Sequence, residues 1–442
     1  MFEQLRSVSS FGSALALLEH ADLPTSDEAI IDEIRAAERA KCLLEARQAR
    51  LAAALDRSQR RAQADRCVPA DQLGRGIAEQ VAFARRESPH RGRQHLSLAR
   101  ILDAGELPHT AAAFDGGHIT EFRAMTIARE TACLSLEDRL AVDRAIAGDP
   151  EALEGYSDRV VLAELHKLVC RLDPASVAER RRRAESERRV TLRPAPDTMA
   201  YLTVLLPVAQ AVAAYAALKA AADSTIATGD PRGRGQVMAD TLVARTTGIR
   251  EHSPDGQPVV PVALGVTLSA EALLGGHHDT AHLDGVGPIP AGLARDLVRR
   301  ALAAGQRIWL KRLFTRPFDG DLVAKDAHSR LFPESMGGLL EDRDQFCRTP
   351  WCNAPIAHRD HVTGHAVTGT TEVDDGQGLC QQCNHAKQAP GWRARPRPDE
   401  PGHTVETTTP TGHRYLSTAP PVLRARRGAY VEQWPGHWVL VA

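Results

Sequence analysis

Cys347-Arg-Thr-Pro-Trp-Cys352 is followed by Asp360-His361 and then by Cys380-Gln-Gln-Cys383-Asn384-His385-Ala-Lys387. Two cysteine pairs bracket an Asp-His dipeptide, and an Asn-His dipeptide directly follows the last cysteine. Twenty-seven residues lie between the pairs, room for a hairpin and the start of a helix. This is the spacing of a four-thiolate zinc site, one knuckle from Cys347 and Cys352 and the other from Cys380 and Cys383. Zinc held by four thiolates is coordinatively closed. It does no chemistry and staples a module too small to bury a core of its own.

The segment between and after the knuckles carries residues that could do chemistry. Phosphodiester hydrolysis needs an activated water and a cation that neutralises charge on the leaving oxygen, and a histidine beside a carboxylate supplies both parts. Neighbours in a strand point to opposite faces, so Asp360 reaches a metal with His361 aimed at water only if the strand is twisted or bulged there. Asn384 or His385, at the start of the following helix, could add a metal ligand. Lys387 lies three residues beyond Asn384 on the same helical face and could contact phosphate. His358 and His365 are expected to face solvent or to support neighbouring groups.

The rest of the chain frames this module. Its 442 residues are too many for one ordinary domain. It is 43% hydrophobic but only 4% aromatic, so its cores must be built from Ala, Leu and Val, and its Ala-Leu-Arg-Glu richness favours helix. The net charge of −1 excludes whole-chain basicity, so any DNA-binding surface must be a local patch. No apolar run of about 18 residues exists, which predicts no transmembrane helix. The start, Met-Phe-Glu-Gln-Leu-Arg, predicts no secretory signal, and a cytoplasmic location follows. In that compartment the clustered cysteines read as metal ligands rather than disulfides. Cys42, Cys67, Cys133 and Cys170 stand singly and are expected to be small buried hydrophobes.

Residues 1–185 are expected to form an irregular helical region. A long helix runs from Asp27 to about Asp65, capped by Ser26 or Asp27, with Ile30, Ile31, Ile34, Leu43, Leu44, Leu51 and Leu55 recurring near a 3.6 period. Further helices are predicted near 71–87, 93–104, 120–131, 136–147 and 159–171, punctuated by Pro and Gly. Arg180, Arg181, Arg182 and Arg183, followed by Arg188 and Arg189, are the densest basic run. It is either a solvated helix face salted with Glu179, Glu185 and Glu187 or a patch that contacts phosphates.

Residues 186–330 read as α+β. Two strands flank the turn signal Pro194-Ala-Pro-Asp197, helices follow near 208–222 and 235–245, and a strand is expected over Val259–Leu268. A helix near 292–304, a strand near Ile308–Leu313 and a turn at Pro317–Gly320 precede the final module, 331–395. The tail, 396–442, is Pro, Thr and Gly rich and is expected to be extended and partly ordered, or disordered. The fold class is therefore α+β and mainly helical.

Asp360-His361, Gly376-Gln-Gly-Leu-Cys380 and Cys383-Asn384-His385-Ala-Lys387 resemble the motif of HNH endonucleases, the ββα-metal fold. The stretch from Arg343-Asp344 to Cys352 is similar to the lead-in of actinobacterial members, which carry a long N-terminal helical domain of unknown function. Gly117-His-Ile-Thr-Glu-Phe-Arg-Ala-Met-Thr-Ile resembles that domain more loosely. The resemblance spans most of residues 30–395, with its mechanistic content in 343–392. It implies a DNA phosphodiester hydrolase in which His361 is the general base and Asp360 a metal ligand. Asn384 takes the last motif position, where the family has His or Asn. The implied cofactors are a structural zinc on the four cysteines and a catalytic divalent cation, Mg2+ or Mn2+, with His385 as the fallback ligand.

One position departs from the family pattern. The middle residue, five before the third cysteine, is usually Asn, understood to orient the catalytic loop through hydrogen bonds; here it is Asp375. An ionised Asp accepts but does not donate, so the loop is expected to be held less well. This leaves two expectations: an active endonuclease, with homodimerisation as a route to double-strand breaks, or a catalytically weakened zinc-containing protein that binds DNA or acts as a scaffold.

Overall fold

The computed structural model describes residues 23–247, 265–269, 272–273, 280–284, 286–303, 334–400, 402–421, 429–434 and 437–441. The chain is α+β and mainly helical, as its composition predicts. Its contacts group it into two compact units, Met1–Asp65 with Gln94–Ala178, and Arg66–Arg93 with Glu179–Ala442.

The helices are α1 (Asp27–Asp65), α2 (Ile77–Arg85), α3 (Pro89–Asp103), α4 (Pro108–Asp115), α5 (Glu121–Glu130), α6 (Leu136–Ala147), α7 (Pro150–Glu154), α8 (Asp158–Leu172) and α9 (Pro174–Ser186). Their starts are set by local chemistry. The side chains of Thr120, Ser135 and Ser157 accept from the backbone N–H of Arg123, Asp138 and Val160, closing the first turns of α5, α6 and α8. Asp143 on α6 is fully buried and accepts from the N–H of His109 and Thr110 and from the Thr110 hydroxyl, so one carboxylate caps α4 from a neighbouring helix.

The core of the first unit is formed by Leu98, Leu107, Phe114, Ile119, Ile127, Val142, Leu153 and Leu165. On α1 the buried face is Cys42, Ala46, Ala49, Ala52 and Ala53, whereas Ile30, Ile31, Ile34, Leu43, Leu44 and Leu51 are exposed. The periodic large apolar residues therefore do not mark the packed face. Small side chains do, because they let α1 come close to α4 and α5. The four isolated cysteines also divide: Cys42 is buried and Cys133 half-buried, but Cys67 and Cys170 are exposed, against the expectation of buried hydrophobes.

In the second unit, β1 (Arg189–Pro194) and β2 (Ala200–Leu205) form an antiparallel hairpin with Leu192 opposite Leu202. Helices α10 (Val208–Ala227) and α11 (Arg234–Thr247) follow. Strands β3 (Val266–Thr267), β4 (Thr280–Leu283) and β5 (Gly287–Pro290) make a small antiparallel sheet against α12 (Ala291–Ala303), with Ala281, Ile289 and Ala294 at the contact. Only Val266–Thr267 of the expected strand over Val259–Leu268 is a described strand. The expected strand at Ile308–Leu313 and turn at Pro317–Gly320 lie outside the described residues.

The C-terminal part contains α13 (Glu334–Asp344), the antiparallel pair β6 (His358–His361) and β7 (Gly376–Leu379) with the short α14 (His365–Thr368) between them, and α15 (Gln381–Lys387). Beyond Pro390 the described residues form two small sheets, in keeping with the extended and partly ordered alternative for the tail. Strands β8 (Arg393–Pro396), β9 (Thr404–Thr408) and β10 (Arg414–Thr418) pair in the order β10-β9-β8, and β11 (Ala429–Trp434) pairs with β12 (His437–Val441). Buried Glu406 on β9 accepts from Arg395 and Arg397, so two arginines of the tail are ion-paired within the sheet.

Helix α2 packs into this C-terminal part. Its buried Phe83 ring lies 5.9 Å from that of Trp351, 5.6 Å from Trp392 and 5.0 Å from Tyr415, in tilted or edge-on contacts typical of aromatic clusters. Gly76, just before α2, has φ +81°, and a Cβ there would sit 2.4 Å from Trp392 Nε1. Both the backbone conformation and the approach of the indole require glycine.

Candidate functional site

The four cysteines converge. Cys347 and Cys352 lie on the loop before β6, Cys380 follows β7 as the residue capping α15, and Cys383 sits in the first turn of α15. Their sulfurs all lie within 4.8 Å of one another, with Cys352 and Cys380 Sγ 3.9 Å apart. Four sulfurs about 2.3 Å from a tetrahedral zinc are about 3.8 Å apart, so the donor set and its size fit a structural metal such as zinc. The knuckle is held by the backbone. Cys347 N–H donates to Ala354 O at 3.0 Å, Cys352 N–H to Thr349 O at 3.0 Å, and Arg348 N–H to Gly378 O at 2.9 Å. Trp351 takes the left-handed conformation, φ 59°, that the tight turn between the cysteines demands.

The thiols are electrostatically coupled. Hydrogen bonds from Cys352 and Cys383 push the Cys347 thiol down to about 2. The same bond to Cys347 pushes Cys352 up to about 12, and Cys383 is likewise driven upward by its bonds to Cys347 and Cys352. A cation held by the four sulfurs would take the place of these thiol protons.

Beneath the knuckle is a buried charge network of Arg343, Asp344 and Arg348. Asp344 accepts from Arg343 Nε at 2.8 Å, Arg348 Nη1 at 3.3 Å and the Gly378 N–H at 2.7 Å. Arg343 also donates to the carbonyls of Val373 and Gly376, and Arg348 to those of His403 and Ser417. All three side chains are buried. The network joins α13, β7 and the C-terminal sheet around the cysteines. Removing Asp344 would leave two buried guanidiniums without their shared carboxylate, at a cost of about 3–5 kcal/mol. The signal was Arg343-Asp344 followed by Arg348 four residues on, charged residues where a small module affords few.

His358 and Asp360 share one face of β6, and α15 lies along it. Asn384 Nδ2 is 2.9 Å from His358 Nδ1, and Lys387 Nζ contacts Asp360 Oδ2 and the carbonyl of His361. Residues three apart on the helix thus meet residues two apart on the strand. His358 thus has a direct partner in Asn384, the supporting role that was one of the two expected for it. Lys387, expected to contact phosphate, is bound to Asp360. His385 is exposed, its ring centroid 6.4 Å from that of His358.

His361 points to the other face, and β6 pairs with β7 in unbroken register, without the bulge that would turn Asp360 and His361 toward one site. His361 is buried, with Nε2 2.9 Å from the buried Thr371 hydroxyl and its ring 5.3 Å from that of His365. Burial pushes its imidazole below the ordinary value, against the opposing pull of Asp375 and Asp360. It is therefore neutral at pH 7 and able to accept a proton.

Asp375 fastens the chain just after His361. Its carbonyl accepts the Val362 N–H at 2.6 Å and its Oδ1 the Thr363 N–H at 2.9 Å, but its buried Oδ2 has no hydrogen-bond partner. Burial raises its carboxyl above the ordinary range despite the Thr363 N–H. Nearby, His403 Nε2 donates to the Asp374 carbonyl at 2.9 Å, and burial pushes this imidazole down to about 4.

Of the basic run, Arg182 on α9 is exposed and paired with Glu179 at 2.6 Å, and Arg183, Arg188 and Arg189 are exposed. The side chains of Arg180 and Arg181 lie outside the described residues. Among the described residues no helix is long and apolar enough to cross a membrane.

Fold and site together define a mainly helical α+β protein with a four-cysteine cluster suited to a structural metal, set in a β-hairpin followed by a helix. The chain belongs to the family described as Domain of unknown function (DUF222), whose model matches residues 36–319, more than half of its length. That match ends before the four clustered cysteines begin. No curated protein and no solved structure matches the chain.

Proposed function

We propose that this chain is a metal-dependent endonuclease of the HNH class, hydrolysing DNA phosphodiester bonds through residues 358–387. The observation that carries the reading is the antiparallel pair β6–β7 followed at once by α15, with Asp360 and His361 on the first strand, Asn384 on the helix and four cysteines stapling the turns. That order of elements is the ββα arrangement the sequence motif implies.

In this reading His361, neutral and hydrogen-bonded to Thr371, takes a proton from the attacking water. Thr371 and the Asp375 tether fix the orientation of the imidazole and the backbone that follows it. Asp360 and Asn384 offer the hard oxygen donors that Mg2+ or Mn2+ prefers, and His385 stands by on the exposed side of the helix. A divalent cation held there would stabilise charge on the leaving 3′ oxygen. Arg182, Arg183, Arg188 and Arg189 are exposed and suited to phosphate contacts that position DNA without reading its sequence.

A second reading, a zinc-containing DNA-binding or scaffolding protein with weakened catalysis, is favoured by the partnerless oxygen of Asp375. Incubation with supercoiled plasmid separates the two. Nicking that depends on Mg2+ or Mn2+ and stops with EDTA supports the nuclease. Retention of DNA without nicking under either metal supports the second reading.

A further inference from the structure

The least expected contact in the site is that of Lys387. An ammonium has three donors, and here all acceptors come from one stretch of chain: Asp360 Oδ2, the carbonyl of His361 and, at 3.4 Å, the carbonyl of Val362. The pair is mostly shielded, with side-chain exposures of 18% for Lys387 and 22% for Asp360. A carboxylate and two carbonyls around one positive charge form an oxygen cage of the kind that binds a hard cation. The lysine reaches it because Lys387 lies one helical turn beyond Asn384, and that residue is itself anchored to His358 on the same strand face.

We propose that the Lys387 ammonium is an internal counter-cation on Asp360, which a divalent metal must displace in order to bind. The proposal rests on the reading of Asp360 as the ligand of that metal. Two cations on one carboxylate in a partly dry site repel strongly, so the ammonium and the metal exclude each other there. The lysine keeps the site neutral and the hairpin docked on α15 until a metal arrives. Displacement then frees an ammonium at the edge of the site for a phosphate group. The same side chain would thus set the metal affinity first and meet the nucleic acid second.

The test is the affinity for Mn2+, read from the free-ion EPR signal, in the full-length zinc-loaded protein. Lys387→Met should bind Mn2+ at least about tenfold more tightly than wild type, the scale expected for removing a like charge a few ångströms away. The gain should vanish in the double variant with Asp360→Asn. Mn2+ binding by Lys387→Met that is equal to or weaker than wild type, with zinc content and circular dichroism unchanged, overturns the proposal. A second measurement needs no variant. Trace acetylation of wild-type Lys387, read by mass spectrometry, should rise on saturation with Mg2+, and unchanged or reduced labelling overturns the proposal equally. If wild type nicks plasmid while both measurements fail, the competition falls and the nuclease reading stands. If neither protein binds Mn2+, both fall.

Discussion

Asp375 concentrates the chemistry of the site in a single atom. Its Oδ1 and its carbonyl hold the backbone after His361, as the Asn usual at this position is understood to do, while Oδ2 is buried without a partner. An amide would place a donor there instead of a second acceptor. Asp375→Asn should stabilise the second unit by about 1 kcal/mol at pH 7, because a neutral amide costs less to bury than the ionised carboxylate. The pH dependence follows from the raised folded pKa. Stability from the protonated acid is fully present below the ordinary 3.8 and is lost as pH rises through the folded value. The variant has no such loss, so the gap between the proteins should be smallest in acid and widest at neutral pH. Urea melts at both extremes check this, and a gap that widened in acid would contradict it. Lys387 teaches a similar lesson. Its place three residues after Asn384 was plain in the sequence, but its bond to Asp360 was not, because pairing across a strand and a helix depends on their docking.

Elements whose neighbours are local in sequence were legible. Helix α1 runs from Asp27 to Asp65 and α6 from Leu136 to Ala147, with the ends that caps and breakers indicated. The two strands flanking Pro194–Asp197 pair as read. Packing between distant elements was not legible. The large apolar residues of α1 suggested its buried face, yet alanines occupy it, since the spacing of two helices is decided by both partners. The sheet beyond Pro390 was hidden because Pro, Thr and Gly dilute its alternation, and its stability comes from Glu406 and the aromatic cluster around Phe83. Phe83 of helix α2 lies 268 and 309 residues away in sequence from the two tryptophans it meets, a separation no local pattern reveals. Gly76→Ala tests that docking directly. It forces a side chain into a left-handed backbone and against Trp392, and should cost about 2 kcal/mol in the second unit's thermal transition. A variant as stable as wild type would mean that α2 does not depend on this approach.

For the whole molecule, the two compact units imply two responses to loss of a metal held by the four cysteines. Chelation of zinc, or Cys383→Ser, should unfold the C-terminal part and shift tryptophan emission to the red as the cluster of Phe83, Trp351 and Trp392 opens. The helical unit, in which no group of three or more candidate metal ligands comes together among the described residues, should keep its far-ultraviolet helical signal. Loss of all helical signal on chelation would show that the units fold as one. Function remains a claim about a small part of this chain. The four cysteines were legible from spacing alone, and the pairing of Asp360-His361 with Asn384 from resemblance, whereas the family match covers residues 36–319 and leaves the site itself outside. The central claim is therefore that His361 is the base of a nuclease. Its most direct test is the rate of plasmid nicking with Mn2+ by wild type and by His361→Ala, each checked for zinc content and DNA affinity. Wild type should nick, and the variant should be slower by about 10²–10⁴-fold with zinc and DNA binding retained. Nicking by His361→Ala at the wild-type rate, or none by wild type under any divalent metal, would contradict it.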